Sequence, residues 1–93
     1  MRVRAEFTTE PFHGEDGELP RHVTAAADSL RYAGLVPDLG PLGTSVAGEA
    51  EQVVPAVAQA IQAALDSGAS RVTLQVEQDT DAVEQDTDQD TDA

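Results

Sequence analysis

The sequence predicts an α+β domain in which two helices cover one face of a four-stranded antiparallel sheet. Residues 2–10 and 71–77 each alternate apolar with polar side chains, which is the period of a strand with one buried face. Between them lie two segments whose apolar residues recur at helical spacing, separated by a short hairpin. This order, βαββαβ, is that of a ferredoxin-like fold, in which right-handed crossovers place both helices on the same face of the sheet.

The first strand and the first helix follow from the spacing of apolar residues and from the residues that interrupt it. The strand covers residues 2–10, and its apolar positions are Val3, Ala5 and Phe7. Pro11 and the HGEDG stretch at 13–17 end the strand. Pro20 suits the first turn of a helix and Gly34 suits its end, so a helix is predicted over residues 20–33. Its apolar residues are Val23, Ala26, Ala27 and Leu30.

The central hairpin is predicted from two short apolar segments on either side of a glycine-rich turn. Residues 35–39 contain Pro37, which removes a donor from the strand ladder and therefore favours an edge strand. The GPLGT stretch at 40–44 forms the turn, and residues 44–48 form the third strand.

The second helix has the clearest periodic pattern in the chain. Glu49 and Glu51 stand where a helix N-terminus favours negative charge, and Pro55 is tolerated near the first turn. Gly68 ends the helix. The apolar residues at i, i+3, i+4, i+7 and i+11 are Val54, Val57, Ala58, Ile61 and Leu65. A fourth strand follows over residues 71–77, and its apolar side consists of Val72, Leu74 and Val76.

Two helices on one face leave the other face of the sheet bare. The residues expected there are Arg2, Arg4, Glu6, Thr8, Thr73, Gln75 and Glu77. A polar surface of this kind is either simply solvated, or it serves as the floor of a ligand site or as a contact between subunits. Small domains often gain buried surface by dimerising, so both interpretations stay open.

Composition limits the size of the domain and the partners it can bind. A chain of 93 residues suits one hydrophobic core. Its 5 basic residues are all Arg, are scattered, and are outnumbered by 18 acidic residues, which disfavours nucleic acid and anionic membrane surfaces as partners. The absence of Cys excludes disulfides and Cys-containing zinc sites. No apolar run is long enough to span a bilayer, so a cytoplasmic protein is expected.

The C-terminal segment differs in composition from the rest of the chain. Residues 79–93 hold seven of the eighteen acidic residues and no basic one, and the motif EQDTD at 77–81 recurs at 84–88. The segment's only aliphatic residues are Ala82, Val83 and Ala93. With so little apolar surface to bury, it is predicted to be a disordered acidic tail, which leaves residues 1–78 as the ligand-binding domain.

The sequence contains no pattern of residues typical of catalysis. It has no phosphate-binding loop, no nucleophile elbow and no HExxH zinc motif. His13 and His22 lie nine positions apart on different elements, and both are expected to be solvated. The acidic residues of the Gly-rich loop are interpreted in the same way, and they are Glu15, Asp16 and Glu18. The protein is therefore predicted not to be an enzyme and to hold no metal.

Four stretches resemble the small thiamine-binding proteins of ferredoxin-like fold. They are AEFTTEP at 5–11, GPLGT at 40–44, the acidic entry to the second helix, and DSGASRV at 66–72. The resemblance covers residues 1–78 and rests on the order and spacing of these stretches. It implies binding of thiamine or its hydroxymethylpyrimidine moiety without catalysis, by a homo-oligomer whose subunits pair through their sheets.

The resemblance also implies a set of site residues. Glu6 and Thr8 match polar positions of the family's first strand, and Thr44 matches the Thr that follows the hairpin glycine. Many relatives carry a Glu soon after that Thr, where this chain has Ala47, and Glu49 is the candidate to replace it. The implied ligand site is therefore Glu6, Thr8, Thr44 and Glu49, with thiamine as the bound ligand and no other cofactor.

A second function stays open, because fold alone does not determine function: a regulatory or protein-interaction module without thiamine binding. A thiamine site also calls for an aromatic face. Phe7 is expected in the core, while Phe12 and Tyr32 are freer, although packing is the favoured role for both.

Overall fold

The structure, a computed structural model, describes residues 1–11, 19–40 and 43–79. These residues form β1 (Arg2–Glu10), α1 (Arg21–Tyr32), β2 (Asp38–Leu39), β3 (Thr44–Glu49), α2 (Ala50–Asp66) and β4 (Arg71–Gln78). The strands make one sheet in the order β2-β3-β1-β4, and every neighbouring pair is antiparallel. The predicted ferredoxin-like α+β fold is confirmed. The loop at 12–18 and, beyond Asp79, the predicted acidic tail lie outside the described residues.

Both helices end in the way their glycines predicted. Gly34 and Gly68 have φ values of 89° and 109°, a left-handed conformation that glycine adopts without steric cost. After α1, Gly34 N–H donates to Arg31 O and Leu35 N–H donates to Leu30 O, which is the Schellman pattern of bonds. The backbone of Leu35 is thereby bound to α1. This bond explains why β2 is shorter than the predicted 35–39 segment and begins only after Pro37, at Asp38.

The core lies between the helices and β1. The alternation predicted for β1 is confirmed, since Val3, Ala5 and Phe7 are all buried against the helices. Around them the core is rich in small residues, which let α1 and α2 pack closely against each other. The other buried apolar residues of this cluster are Ala26, Leu30, Leu35, Val46, Val53, Ala56, Val57, Ala60, Ala64 and Ala69.

The buried face of α2 is displaced by about one position from the predicted one, although Val57 is buried as predicted. The residues that face the core are Val53, Ala56, Val57, Ala60 and Ala64. Two members of the predicted stripe, Val54 and Leu65, are 52% and 45% exposed. The helix carries two apolar stripes with the same spacing, and the prediction chose the one with larger side chains. Close packing between the helices instead favours the stripe that is rich in Ala.

The prediction that His22 is solvated was also wrong. His22 is buried on α1, where it lies beside Ala26, Ala27 and Leu30 on the core-facing side. Its Nε2 lies 2.9 Å from Pro11 O, an atom that can only accept, so Nε2 donates this bond. Its Nδ1 lies 2.6 Å from the Thr9 hydroxyl and forms a second hydrogen bond with it. Two hydrogen bonds thus satisfy a polar ring that sequence spacing alone had placed in solvent.

Candidate functional site

The side of the sheet opposite the helices, called here the open face, carries aligned rows of polar residues. Partners in an antiparallel register project to the same side, so the register identifies which side chains meet. One row crosses all four strands and consists of Asp38, Ser45, Glu6 and Gln75. The adjoining rows contain Thr8 with Thr73, Arg4 with Ala47 and Glu77, and Arg2 with Glu49. The polar face expected from β1 and β4 is therefore present.

Glu6 occupies the centre of this face. It lies on β1 between Ser45 of β3 and Gln75 of β4, and its side chain is exposed. The ion pairs found among the described residues, which join Met1, Arg2, Asp28, Arg31, Glu49 and Asp79, do not include Glu6. Its charge is therefore available to a positively charged or hydrogen-bond-donating ligand.

Two neighbouring groups restrict the surroundings of Glu6. Gly43 approaches so closely that a Cβ there would lie 3.0 Å from Phe7 O and 3.7 Å from Glu6 Oε2. Gln75 donates from Nε2 to Glu77 Oε2 at 2.8 Å. This bond fixes the orientation of the amide and leaves its carbonyl oxygen available to accept from other groups. The open face thus combines a free carboxylate with hydroxyl and amide groups in one row.

Thr44, one of the predicted site residues, projects to the opposite side of the sheet from Glu6 and Thr8. It pairs with Phe7, and its side chain is buried on the helix-facing side. The hydroxyl that shares the open face with Glu6 belongs to Ser45. Sequence reasoning missed Ser45, although strand alternation could have found it, because Val46 on β3 is apolar and Thr44 must share its side.

Glu49 lies on the same side of the sheet as Glu6 but in a different row. It precedes α2 and accepts from the Met1 ammonium group at 3.1 Å, with Arg2 at 3.9 Å. It lies four positions after Ser45, a distance of about 13 Å along a strand. The structure therefore brings Glu6 and Thr8 together, and it places Glu49 in a separate cluster with charges of its own.

The described aromatic residues lie away from the open face. Phe7 is in the core and Tyr32 is exposed at the end of α1, while Phe12 lies outside the described residues. Within the described parts of the chain, no three His, Cys, Asp or Glu side chains come together as they would around a metal ion. Neither α1 nor α2 is long and apolar enough to cross a membrane.

Comparison with known proteins identifies the family. The sequence matches the family model described as thiamine-binding protein over residues 5–91. The chain belongs to the thiamine-binding protein family. The match runs from β1 through β4 and continues into the acidic segment after Asp79. No curated protein matches the sequence of this chain.

Solved structures with the same fold come from several organisms. A domain of unknown function from Bacillus cereus gives a TM-score of 0.60 at 21% identity, over 94% of this chain and 91% of that one. A candidate thiamine biosynthesis/salvage protein from Thermotoga maritima gives 0.58 at 22% identity, over 91% and 98% of the respective chains. A Streptococcus pneumoniae protein gives 0.62 at 18% identity, over 83% of each chain. At these identities, the likeness shows that the chain shares the fold of these proteins.

Proposed function

We propose that the protein binds thiamine or its hydroxymethylpyrimidine moiety on the open face of its sheet and releases it chemically unchanged. Membership of the thiamine-binding protein family supports a binding role. The observation that carries the location is Glu6, a solvent-facing carboxylate outside the ion pairs of the described residues and flanked by Ser45 and Gln75.

The polar side chains around Glu6 on the open face complement the proposed ligand. A carboxylate accepts hydrogen bonds from an exocyclic amine and stabilises a positive charge such as that of a thiazolium ring. The hydroxyls of Thr8 and Ser45 both donate and accept, so they can satisfy ring nitrogens as well as amines. Glu6 supplies the charge, and the two hydroxyls orient the ligand beside it.

A binding role without catalysis is supported by the position of a hydroxyl–imidazole pair among the described residues. Thr9 and His22 form a hydroxyl–imidazole pair, which in another setting could activate a nucleophile. Both residues are buried on the helix side of the sheet, and the second ring nitrogen is occupied by Pro11 O. This pair stabilises the core and lies on the opposite side of the sheet from Glu6.

Isothermal titration calorimetry with thiamine and with hydroxymethylpyrimidine tests the proposal. Glu6→Gln keeps the volume of the side chain but removes its charge, so thiamine binding should weaken about ten- to hundredfold, which corresponds to a charged hydrogen bond of about 1.5–3 kcal/mol. Ser45→Ala should cost less, about 0.5–1.5 kcal/mol for a neutral bond. Glu51→Gln is the matched control, because Glu51 is an exposed carboxylate in the first turn of α2.

The possible outcomes separate the ligand from the site. Absence of heat from either compound with the wild-type protein would reject the ligand. Tight binding that Glu6→Gln and Glu51→Gln leave equally unchanged would reject the open-face site while keeping the binding function. A larger loss for thiamine than for hydroxymethylpyrimidine in Glu6→Gln would show that Glu6 faces the thiazolium charge.

A further inference from the structure

A shallow depression lies beside Glu6 on the open face. Arg4 and Glu6 are two positions apart on β1, and their register partners on β3 are Ala47 and Ser45. These four residues form a rectangle that measures about 7 Å along the strands and about 5 Å between them. Three of its corners carry polar side chains, whereas Ala47 is exposed and has only a methyl group. Ala47 is therefore the base of the depression.

Arg4 stands directly across from Ala47, and its side chain is exposed. It takes part in none of the ion pairs of the described residues. Its register partner on β4 is Glu77, but Glu77 Oε2 accepts from Gln75 Nε2 at 2.8 Å instead. The guanidinium of Arg4 is thus free to lie over Ala47, which its long side chain can reach from the neighbouring strand.

A flat ligand on this face needs a partner for its ring as well as for its edge. The described aromatic residues, Phe7 and Tyr32, lie away from the open face. A guanidinium can take their place, because it is planar, stacks on aromatic rings and is attracted by their electron-rich faces. A carboxylate and a hydroxyl, by contrast, bind the edge of a ring, where its amine and ring nitrogens lie.

We infer that Arg4 is the stacking platform of this site: its guanidinium packs on the pyrimidine ring of the ligand above Ala47, while Glu6 and Ser45 bind the edge of that ring. The inference rests on the proposed function and adds the residue that contacts the face of the ring. It explains how the described part of the open face, which has no aromatic side chain, holds an aromatic ligand.

A role for Arg4 as a simple positive charge fits the surroundings less well. Glu6 follows it by two positions on the same side of β1, and Glu77 is its partner on β4. An anionic group such as a phosphate would therefore meet two carboxylates beside one guanidinium, and like charges repel at these distances. A neutral ring meets no such repulsion, so stacking is the favoured contact.

Isothermal titration calorimetry with hydroxymethylpyrimidine separates stacking from charge. Arg4→Lys keeps the positive charge but removes the flat surface, so the dissociation constant should rise about tenfold. Arg21→Lys is the matched control, because Arg21 is exposed at the start of α1 and is also outside the ion pairs of the described residues. It should leave the dissociation constant unchanged.

Filling the depression gives a second test. Ala47→Leu places a branched side chain where the ring is expected to lie, and it should raise the dissociation constant more than tenfold. Ala58→Leu makes the same change at an exposed position of α2 and should have no effect on binding. Circular dichroism checks that both variants are folded.

Proton NMR of the arginine side chains detects the stacking directly. The chain has 5 basic residues and all of them are Arg, so the signal that disappears in Arg4→Lys identifies Arg4. Hydroxymethylpyrimidine should shift the Arg4 side-chain protons upfield, because protons above the face of an aromatic ring are shielded by its ring current. Binding of an anion would instead shift the Nε proton downfield.

Two results would overturn the inference while leaving the proposed function intact. One is binding that Glu6→Gln weakens but Arg4→Lys does not, with Arg4 protons that fail to move upfield. The other is binding that Phe12→Leu abolishes and Arg4→Lys leaves unchanged, since Phe12 would then supply the ring contact. Absence of heat with the wild-type protein would reject the proposed function and this inference together.

Discussion

The strands β1 and β4 lie side by side and alternate in the same way, yet their apolar residues have opposite surroundings. Phe7 of β1 and Leu74 of β4 are direct partners on the same side of the sheet. Phe7 is 2% exposed, whereas Leu74 is 40% exposed. The difference arises because α2 packs over β1 and β3, whereas Val72 is the one β4 residue that packs against the core cluster of the described chain.

This comparison separates two properties of a strand residue: the side of the sheet to which it projects and the extent to which it is buried. Alternation determines the side of the sheet to which a residue projects, because successive side chains point in opposite directions. Burial depends on whether another layer covers that side. β1 is covered by the helices of its own chain, whereas Leu74 and Val76 of β4 remain exposed.

The largest expected effect compares the two partners directly. Phe7→Ala should lower the free energy of unfolding by about 3–5 kcal/mol, since it removes a large buried side chain from the centre of the core. Leu74→Ala should cost less than half as much when measured on dilute protein, because the side chain is already partly in water. Urea denaturation of both variants measures the difference, and equal losses would contradict the contrast.

An intermediate effect is expected at Thr9, a polar residue on the covered side of β1. Its partner on β4 is Val72, so Thr9→Val gives β1 the residue that β4 has at this position. Thr9→Val keeps the shape of the side chain but leaves Nδ1 of buried His22 without its hydrogen-bond partner, which should cost about 1–3 kcal/mol.

Thr8→Val is the matched control for that prediction, because Thr8 is the adjacent residue on the opposite side of the same strand. It should change stability by less than about 0.5 kcal/mol. Thermal unfolding of both variants gives the comparison. Equal melting temperatures would mean that the bond to His22 contributes nothing to stability.

The smallest expected effect concerns the opposite edge of β1, where β3 approaches it. In Gly43→Ala, the new Cβ would lie 3.0 Å from Phe7 O and 3.1 Å from Thr8 Cγ2, so the hairpin must shift at a cost of about 1 kcal/mol. Gly40→Ala in the same turn has its nearest contact at 3.5 Å and should be nearly neutral. If Gly43→Ala were as neutral as Gly40→Ala, the close approach of Gly43 to β1 would be contradicted.

Part of the candidate site could be predicted from the sequence. Glu6 and Thr8 were correctly assigned to the bare face, because Phe7 between them is apolar and must point the other way. Thr44 was grouped with them on the basis of the resemblance, but it projects to the core side. Alternation along β3 could have placed Ser45 on the open face, but the register of β3 against β1 is needed to identify it as the neighbour of Glu6.

Sequence by itself determined the order of the elements, the glycines at which both helices end and the sides to which the residues of β1 and β4 point. These properties depend on neighbouring residues, such as the glycines that end α1 and α2 and the alternation along β1. Tertiary structure alone decided which of two apolar stripes of α2 is buried, that His22 has two partners, and that Leu74 remains exposed. The physical reason is that burial and hydrogen bonding depend on residues distant in the chain, whose approach no local pattern records.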